Sequence, residues 1–423
     1  MLALESFVHK NALADIIGRW MLNKPEPDDV RRLKTVVNFN LYIARIWVDY
    51  VARDLLVKLH GVIPRRMVAK TKGQFKDFAV EHPNLTNRRI EELRERYRKY
   101  PEDFYRETPI DGAFYVMDVG GEPVLAGCTR IKRFRRIADK GSRRIVDYML
   151  AEIRAKADEL AEERARKRGI SKEQLISPKD EMVEEFKHAE RRFIKSIKQG
   201  TLHGKLPVLS IPDVVGLKLI IEAQDYPRLL EVIERSSRYE LYEAETHRGK
   251  YNAVNLKVGC RLPISLLLER PPAGDYLKLL EFRGFDVAGV GDAYREFLRS
   301  AEPTVMLEII VSSFEEYLES EIGRSMHEER VLSQRSHPDY NGHLATNARY
   351  LMQYILAVCR SAGMPTITDV PIKLWVKYMP ETIELLIRRL YLPDELFFGT
   401  GPEPLWLTER DQVAPAAAPP PGL

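Results

Sequence analysis

LPVLSIPDVVGLKLII (206–221) and GKYNAVNLKV (249–258) decide how this chain is read. In the first, an apolar run is broken by Asp213 and Gly216. Leu217, Leu219 and Ile221 then alternate with Lys218 and Ile220, so a loop delivers Asp213 to the mouth of a strand. In the second, Val254, Leu256 and Val258 alternate with Asn255 and Lys257, which predicts a strand over 253–258. Between them, Tyr226 to Ser237 has helical spacing, with Leu229, Leu230 and Ile233 on one face and Pro227 near the start, where proline is tolerated. The result is a strand–helix–strand unit with a carboxylate at its rim.

On the C-terminal side, a proline-rich loop (Pro263, Pro271, Pro272) and a helix around Tyr294 to Leu298 lead into the strand TVMLEIIV. That strand carries Glu308 among apolar neighbours and runs into the helix SSFEEYLESEIGRSM. Residues 343–361 and 381–391 are further helices, and VAPAAAPPPGL from Val413 is too poor in large apolar groups to pack. On the N-terminal side, AFYVMDV, the turn Gly120-Gly121 and PVLAGCTRI read as a β-hairpin. It opens into a segment with eight basic residues and one acidic one between Thr129 and Arg144. From Ser142 to Gly200 the pattern is helical and strongly charged, with caps signalled at Ser171/Gln174 and Ser177; a solvated helical arm is expected.

Residues 1–20 read as a helix. A long helix follows KPEPDD, with Leu33, Val37, Leu41, Ala44, Val48, Val51 and Leu55 along one side, ending near Gly61. Met67 to Glu81 and Asn87 to Tyr100 read as two more helices. The expected organisation is a helical N-terminal domain (1–110), a mixed α+β domain (111–330) with a charged helical insertion (142–200), a helical C-terminal region (331–412) and a disordered tail (413–423).

The 423 residues are 44% hydrophobic, enough for a substantial core. Net charge is +4, from 66 basic and 62 acidic residues, so any nucleic-acid footprint must be local. Cys128, Cys260 and Cys359 form no CxxC pair and read as free thiols; with no apolar span and no signal-like N-terminus, a cytoplasmic protein is expected. His327, His337 and His343 are too loosely spaced for a zinc site, and no phosphate-binding glycine loop or nucleophile elbow occurs.

Chemistry is concentrated in a few side chains. Asp213 and Glu308 are strand carboxylates of the kind that hold a divalent cation or take a proton from an attacking hydroxyl. Arg130, Lys132, Arg133, Arg135, Arg136 and Lys140 suit phosphate oxygens, of a triphosphate or of RNA. Tyr251 and Asn255, read as four apart on one strand, share a face on which a base can stack and be hydrogen-bonded.

Taken in order, these blocks resemble the RelA/SpoT alarmone synthetase family. The segment from Arg130 through Lys132 to Lys140 resembles its RxKxxxSIxxK block, and Asp213–Lys218 its DxxGxR block. Gly249–Asn255 is similar to its GYRSxH block, Glu308 to the start of ExQxRT, and Glu321 to the glutamate of the following helix. The likeness covers roughly residues 114–330. It implies a nucleotidyltransferase-like mixed sheet flanked by helices, moving pyrophosphate from ATP to the 3′-hydroxyl of a guanine nucleotide; the basic Thr129–Arg144 segment leaves an RNA end open as the acceptor instead. It also implies Asp213 and Glu308 as Mg²⁺ ligands and catalytic groups, Arg130, Lys132, Lys140 and Lys218 on ATP phosphates, and Tyr251 and Asn255 on the acceptor. Arg136 stands at the family serine, Lys218 at the arginine, and Ile310, Ser312 and Ile322 at the later Gln, Arg and His; no upstream HD hydrolase motif occurs. Because the departures shape the acceptor side, the alternative expectation is a catalytically inactive nucleotide-sensing or scaffold protein.

Overall fold

The computed structural model describes residues 1–175, 178–202, 206–249, 251–336 and 342–390, the side chains of 334–336 excepted. Ser177, His337, the tail 413–423 and the end of the expected C-terminal helical region lie outside the described residues.

The described residues form nine strands: β1 (Leu2–Leu4), β2 (Arg65–Thr71), β3 (Pro109–Val119), β4 (Glu122–Ile131), β5 (Leu209–Ile211), β6 (Val215–Ile220), β7 (Tyr239–His247), β8 (Ala253–Arg261) and β9 (Thr304–Ser312). Seven of them make one mixed sheet in the order β2-β3-β4-β6-β9-β8-β7; among the described residues the β6–β9 pair is its one parallel pair and the others are antiparallel. β1 and β5 form a separate parallel ribbon. The chain is therefore an α+β protein built on a mixed sheet, as expected.

The hairpin forms as read, with Gly120 and Gly121 at φ 64° and 89° in its turn, a conformation glycine adopts without steric cost. The long helix runs Asp29–His60 and stops at Gly61 in the left-handed conformation. Three readings are corrected. Residues 1–20 are not one helix: Leu2–Leu4 pair with Leu209–Ile211, and helix begins at Lys10. Residues 65–71 form the edge strand β2 before the helix Lys72–Glu81, their short period-two pattern having been merged with the helical Phe75/Ala79 spacing. β7, with glutamates and an exposed Tyr242, gave little apolar signal, so the unit runs strand, helix, hairpin.

The two faces of the sheet differ. One packs Tyr115, Leu217, Leu219, Leu256, Val258, Ile309 and Val311 against the helices Asp29–His60 and His343–Arg360; that single core cluster draws on residues 1–59 as well as on the segment 111–330. The other face carries Phe114, Val116, Leu125, Cys128 and Ile220 under the helices Lys72–Glu81, Arg88–Lys99 and Phe314–Ile322. This second apolar layer covers the β2, β3, β4 and β6 side and includes no residue of β9, β8 or β7. The candidate site lies where it stops.

The charged segment is part core and part arm. Helix Phe134–Lys167 buries Ile137, Ile145, Met149 and Ile153 in its N-terminal part, and toward its C-terminal end Arg164 pairs with Glu181 and Glu185 of helix Lys179–Lys198. Among the described residues no helix is long and apolar enough to cross a membrane.

Candidate active site

Strand register aligns the predicted residues. Arg130 lies opposite Gly216, Gly216 opposite Glu308, and Glu308 opposite Lys257. One step along, Cys128, Lys218, Ile310 and Asn255 form the next row. Residues directly opposite share a face, so Arg130, Lys218, Glu308, Lys257 and Asn255 all lie on the face that the second layer leaves partly open.

At one end of the first row stands an ionic triad. β4 hands over to Lys132, whose backbone N–H donates to Val214 O at 2.8 Å, and β6 begins two residues after Asp213. Lys132 Nζ lies 3.0 Å from Asp213 Oδ2, and Lys140, from the first turns of helix Phe134–Lys167, pairs with the same oxygen. Burial alone would raise the Asp213 carboxyl, but the two ammonium groups outweigh it and pull it down to about 2. Lys132 is lowered by burial, with Asp213 and Glu308 working against that shift.

Glu308 is the neighbouring carboxylate. A Cβ on Gly216 would sit 3.9 Å from Glu308 Oε2, so the glutamate leans over the glycine toward β6. Burial raises its carboxyl, Lys132 opposes, and Asp213 adds to the rise. Asp213 is thus not the strand carboxylate expected from the sequence: it lies in the turn that leads into β6, and Glu308 is on the neighbouring β9; both lie within the field of Lys132.

Arg130 and Lys218 are bound to protein. Arg130 Nη2 donates to Glu321 Oε1 at 2.8 Å, with its guanidinium 5.1 Å from the Phe75 ring. Lys218 Nζ donates to Ser320 Oγ at 3.0 Å and lies 3.6 Å from Glu321. Glu321 is 2% exposed and also meets Lys72, which with Lys76 pairs with Glu328. This cluster ties the helices Lys72–Glu81, Phe314–Ile322 and His327–Ser336 to the sheet. The basic run therefore does not form one continuous patch: Arg130, Lys132, Arg136 and Lys140 each face a carboxylate.

Tyr251 is corrected in position. It lies in the bend before β8 and not on the strand with Asn255, because β8 begins at Ala253. It nevertheless reaches the site. The Arg330 guanidinium stands 4.3 Å from its ring centroid, and its hydroxyl is pushed up to about 12 by burial, with Glu308 and Glu321 contributing. Asn255 Oδ1 is buried and accepts no hydrogen bond among the described residues, an unsatisfied acceptor within the site.

Lys257, Arg330 and Lys72 are the site residues sequence reading missed. Lys257 was in view as the polar partner of Asn255 in AVNLKV. The other two come from distant helices and carried no local signal. Among the described residues, no three His, Cys, Asp or Glu side chains gather to hold a metal. The two carboxylates Asp213 and Glu308 are an oxygen donor set that would suit a hard cation such as Mg²⁺ only with further oxygens supplied from elsewhere, and they do not make a closed zinc-type site. Comparison with protein-family models, curated proteins and solved structures finds no match for this chain.

Proposed function

We propose that this face binds the triphosphate of ATP and passes its terminal pyrophosphoryl group to a hydroxyl of a guanine nucleotide or an RNA end. The observation that carries the reading is the cross-strand row Arg130–Gly216–Glu308–Lys257, closed at one end by Asp213, Lys132 and Lys140. It puts two carboxylates of opposite proton affinity beside phosphate-binding cations, the division of labour that acid–base chemistry at phosphorus needs.

Each side chain then has a task. Lys132 and Lys140 would turn from Asp213 to the phosphate oxygens of an entering triphosphate, and Asp213, kept ionised, would be the residue to hold a Mg²⁺ ion there. Mg²⁺ supplies charge neutralisation there. Glu308, whose raised carboxyl makes it the stronger base, takes the proton of the attacking hydroxyl. That oxygen bonds to the β-phosphorus of ATP, the bond from this phosphorus to the α–β bridging oxygen breaks, and AMP leaves with the electron pair. Tyr251 with Arg330 offers the stacking surface for the acceptor base, and Asn255 Oδ1 accepts from it. Arg130 and Lys218 hold the Glu321 helix against the sheet and act as positioning residues.

One observation favours a second reading. The Asp213 carboxylate already has two lysine partners, an arrangement complete without a metal and consistent with a nucleotide-sensing protein that no longer transfers. Calorimetric titration of ATP with and without Mg²⁺ separates the two. Binding tightened by Mg²⁺, with the gain lost in Asp213→Asn, supports transfer. Binding indifferent to Mg²⁺ but abolished in Lys132→Ala supports sensing, and no ATP binding contradicts both.

A further inference from the structure

The two helices of the charged hairpin, Phe134–Lys167 and Lys179–Lys198, divide their charge by position. From 158 to 185, the closed end of the hairpin, nine acidic residues stand against six basic ones. From 187 to 198 there are five basic residues, Lys187, Arg191, Arg192, Lys195 and Lys198, and one acidic one, Glu190. Ala189, Phe193 and Ile197 are buried, Glu190 is half-buried, and all five basic side chains are exposed. Arg191, Lys195 and Lys198 follow at helical steps of four and three, a single stripe opposite the buried face. Lys187 pairs with Glu184, whereas the other four make no ion pair among the described residues.

Helix Phe134–Lys167 carries the pattern back to the candidate site. Lys140, in its first turns, pairs with Asp213. Arg144 and Arg154 follow on the same side of a helix of about 3.6 residues per turn. Both are exposed and make no ion pair among the described residues, and Asp147 is the one exposed carboxylate between them. Because Arg164 pairs with Glu181 and Glu185 near the closed end, the C-terminal half of helix Lys179–Lys198 runs back beside the middle of helix Phe134–Lys167. The helix dipole accounts for cations in a last turn, here Lys195 and Lys198, but not for Arg144, Arg154, Arg191 or Arg192.

We propose that this half of the hairpin is a binding surface for the phosphate backbone of RNA, contacted by Arg144, Arg154, Arg191, Arg192, Lys195 and Lys198. The choice of partner follows from what the surface lacks. An interface with an acidic protein is built around buried aromatic or aliphatic anchors, but the exposed residues of 187–199 are cations, His188 and Gln199. A helix lying in a membrane surface inserts its apolar face, and here that face, Ala189, Phe193 and Ile197, is already buried in the core. What remains is a polymer whose charge repeats along its length, which a rigid row of cations neutralises without apolar contact. Choosing RNA over DNA rests on the transfer reading, in which an RNA end is one of the acceptors. A strand lying on Arg154 and Arg144 leads to Lys140 and Asp213.

The test is a fluorescence-anisotropy titration of dye-labelled bulk tRNA with the full chain over a salt series, with duplex DNA and polyglutamate as competitors. Arg191→Gln/Lys195→Gln/Lys198→Gln is compared with Arg166→Gln/Lys167→Gln/Lys179→Gln, which removes the same charge from the closed end; circular dichroism confirms folding. Support is tRNA binding that weakens roughly ten-fold in the first variant, with a salt slope shallower by about two, and changes less than about two-fold in the second. Should the first variant fail to fold, Arg144→Gln/Arg154→Gln carries the comparison. Equal weakening in both variants, no tRNA binding, or competition by DNA or polyglutamate as effective as by undyed tRNA overturns the proposal. Failure of the transfer reading is distinguishable. Bound tRNA that never accepts phosphate from ATP leaves this surface standing, and transfer to GDP or GTP without tRNA binding removes the surface alone.

Discussion

Glu308 lies directly opposite Gly216 on the one parallel pair of the sheet, its Oε2 3.9 Å from where a glycine Cβ would be. The glycine leaves the floor of the site low, and the glutamate leans into that space toward Lys132 and Asp213. Contacts at 3.8–3.9 Å are ordinary packing, so Gly216→Ala is expected to fold with a Tm close to wild type, its methyl occupying space beside Glu308 Oε2 that a bound substrate would otherwise use, and a fall in transfer is the expected readout. Gly127→Ala is the contrast. Its Cβ would meet Lys218 O at 2.6 Å, and two backbones cannot separate cheaply, so thermal unfolding should show a loss of about 1–3 kcal/mol or more.

The Asp213 carboxyl is held at about 2 against an ordinary 3.8, so it favours the folded state above pH 3.8. That contribution is lost as pH falls from 3.8 toward 2. At neutral pH Asp213→Asn should cost on the order of 2 kcal/mol. Urea unfolding across that range is expected to show the gap between wild type and variant closing as pH falls. A gap independent of pH would mean that the lysines do not hold this carboxylate.

Glu308 has the opposite sign. Its raised carboxyl means that the charged form opposes folding as pH rises above the ordinary glutamate range. Glu308→Gln should therefore match or exceed the wild-type Tm at pH 7 while transfer is lost, the trade expected where a destabilised group is kept for chemistry.

Glu321 holds Arg130, Lys218 and Lys72 together in the interior. Glu321→Gln leaves those cations without their shared carboxylate, and chemical denaturation should show a loss of roughly 3–5 kcal/mol. A neutral result would show that the helix Phe314–Ile322 is held by its apolar contacts alone.

Much of the site was legible because strands turn short sequence patterns into geometry. Alternation in 215–220, 253–261 and 304–312 put Lys218, Asn255, Lys257 and Glu308 on one polar side, and register did the rest. Tyr251 was misplaced because it was counted onto the strand with Asn255, although the alternation itself begins at Ala253, where β8 opens. The Lys72–Glu328 and Arg330–Tyr251 contacts join residues 256 and 79 positions apart (328 − 72; 330 − 251), distances at which periodicity is silent. β2 and β7 escaped because edge strands face water and need little apolar alternation.

The most direct measurement is transfer of label from β- and γ-labelled ATP, with Mg²⁺, to GDP, GTP or bulk tRNA, comparing wild type with Asp213→Asn and Glu308→Gln. Joint transfer of both phosphates to one of these acceptors, absent in both variants, is expected. Transfer that persists in either variant, or no transfer by a wild-type protein that binds ATP, would contradict the roles given to these two carboxylates.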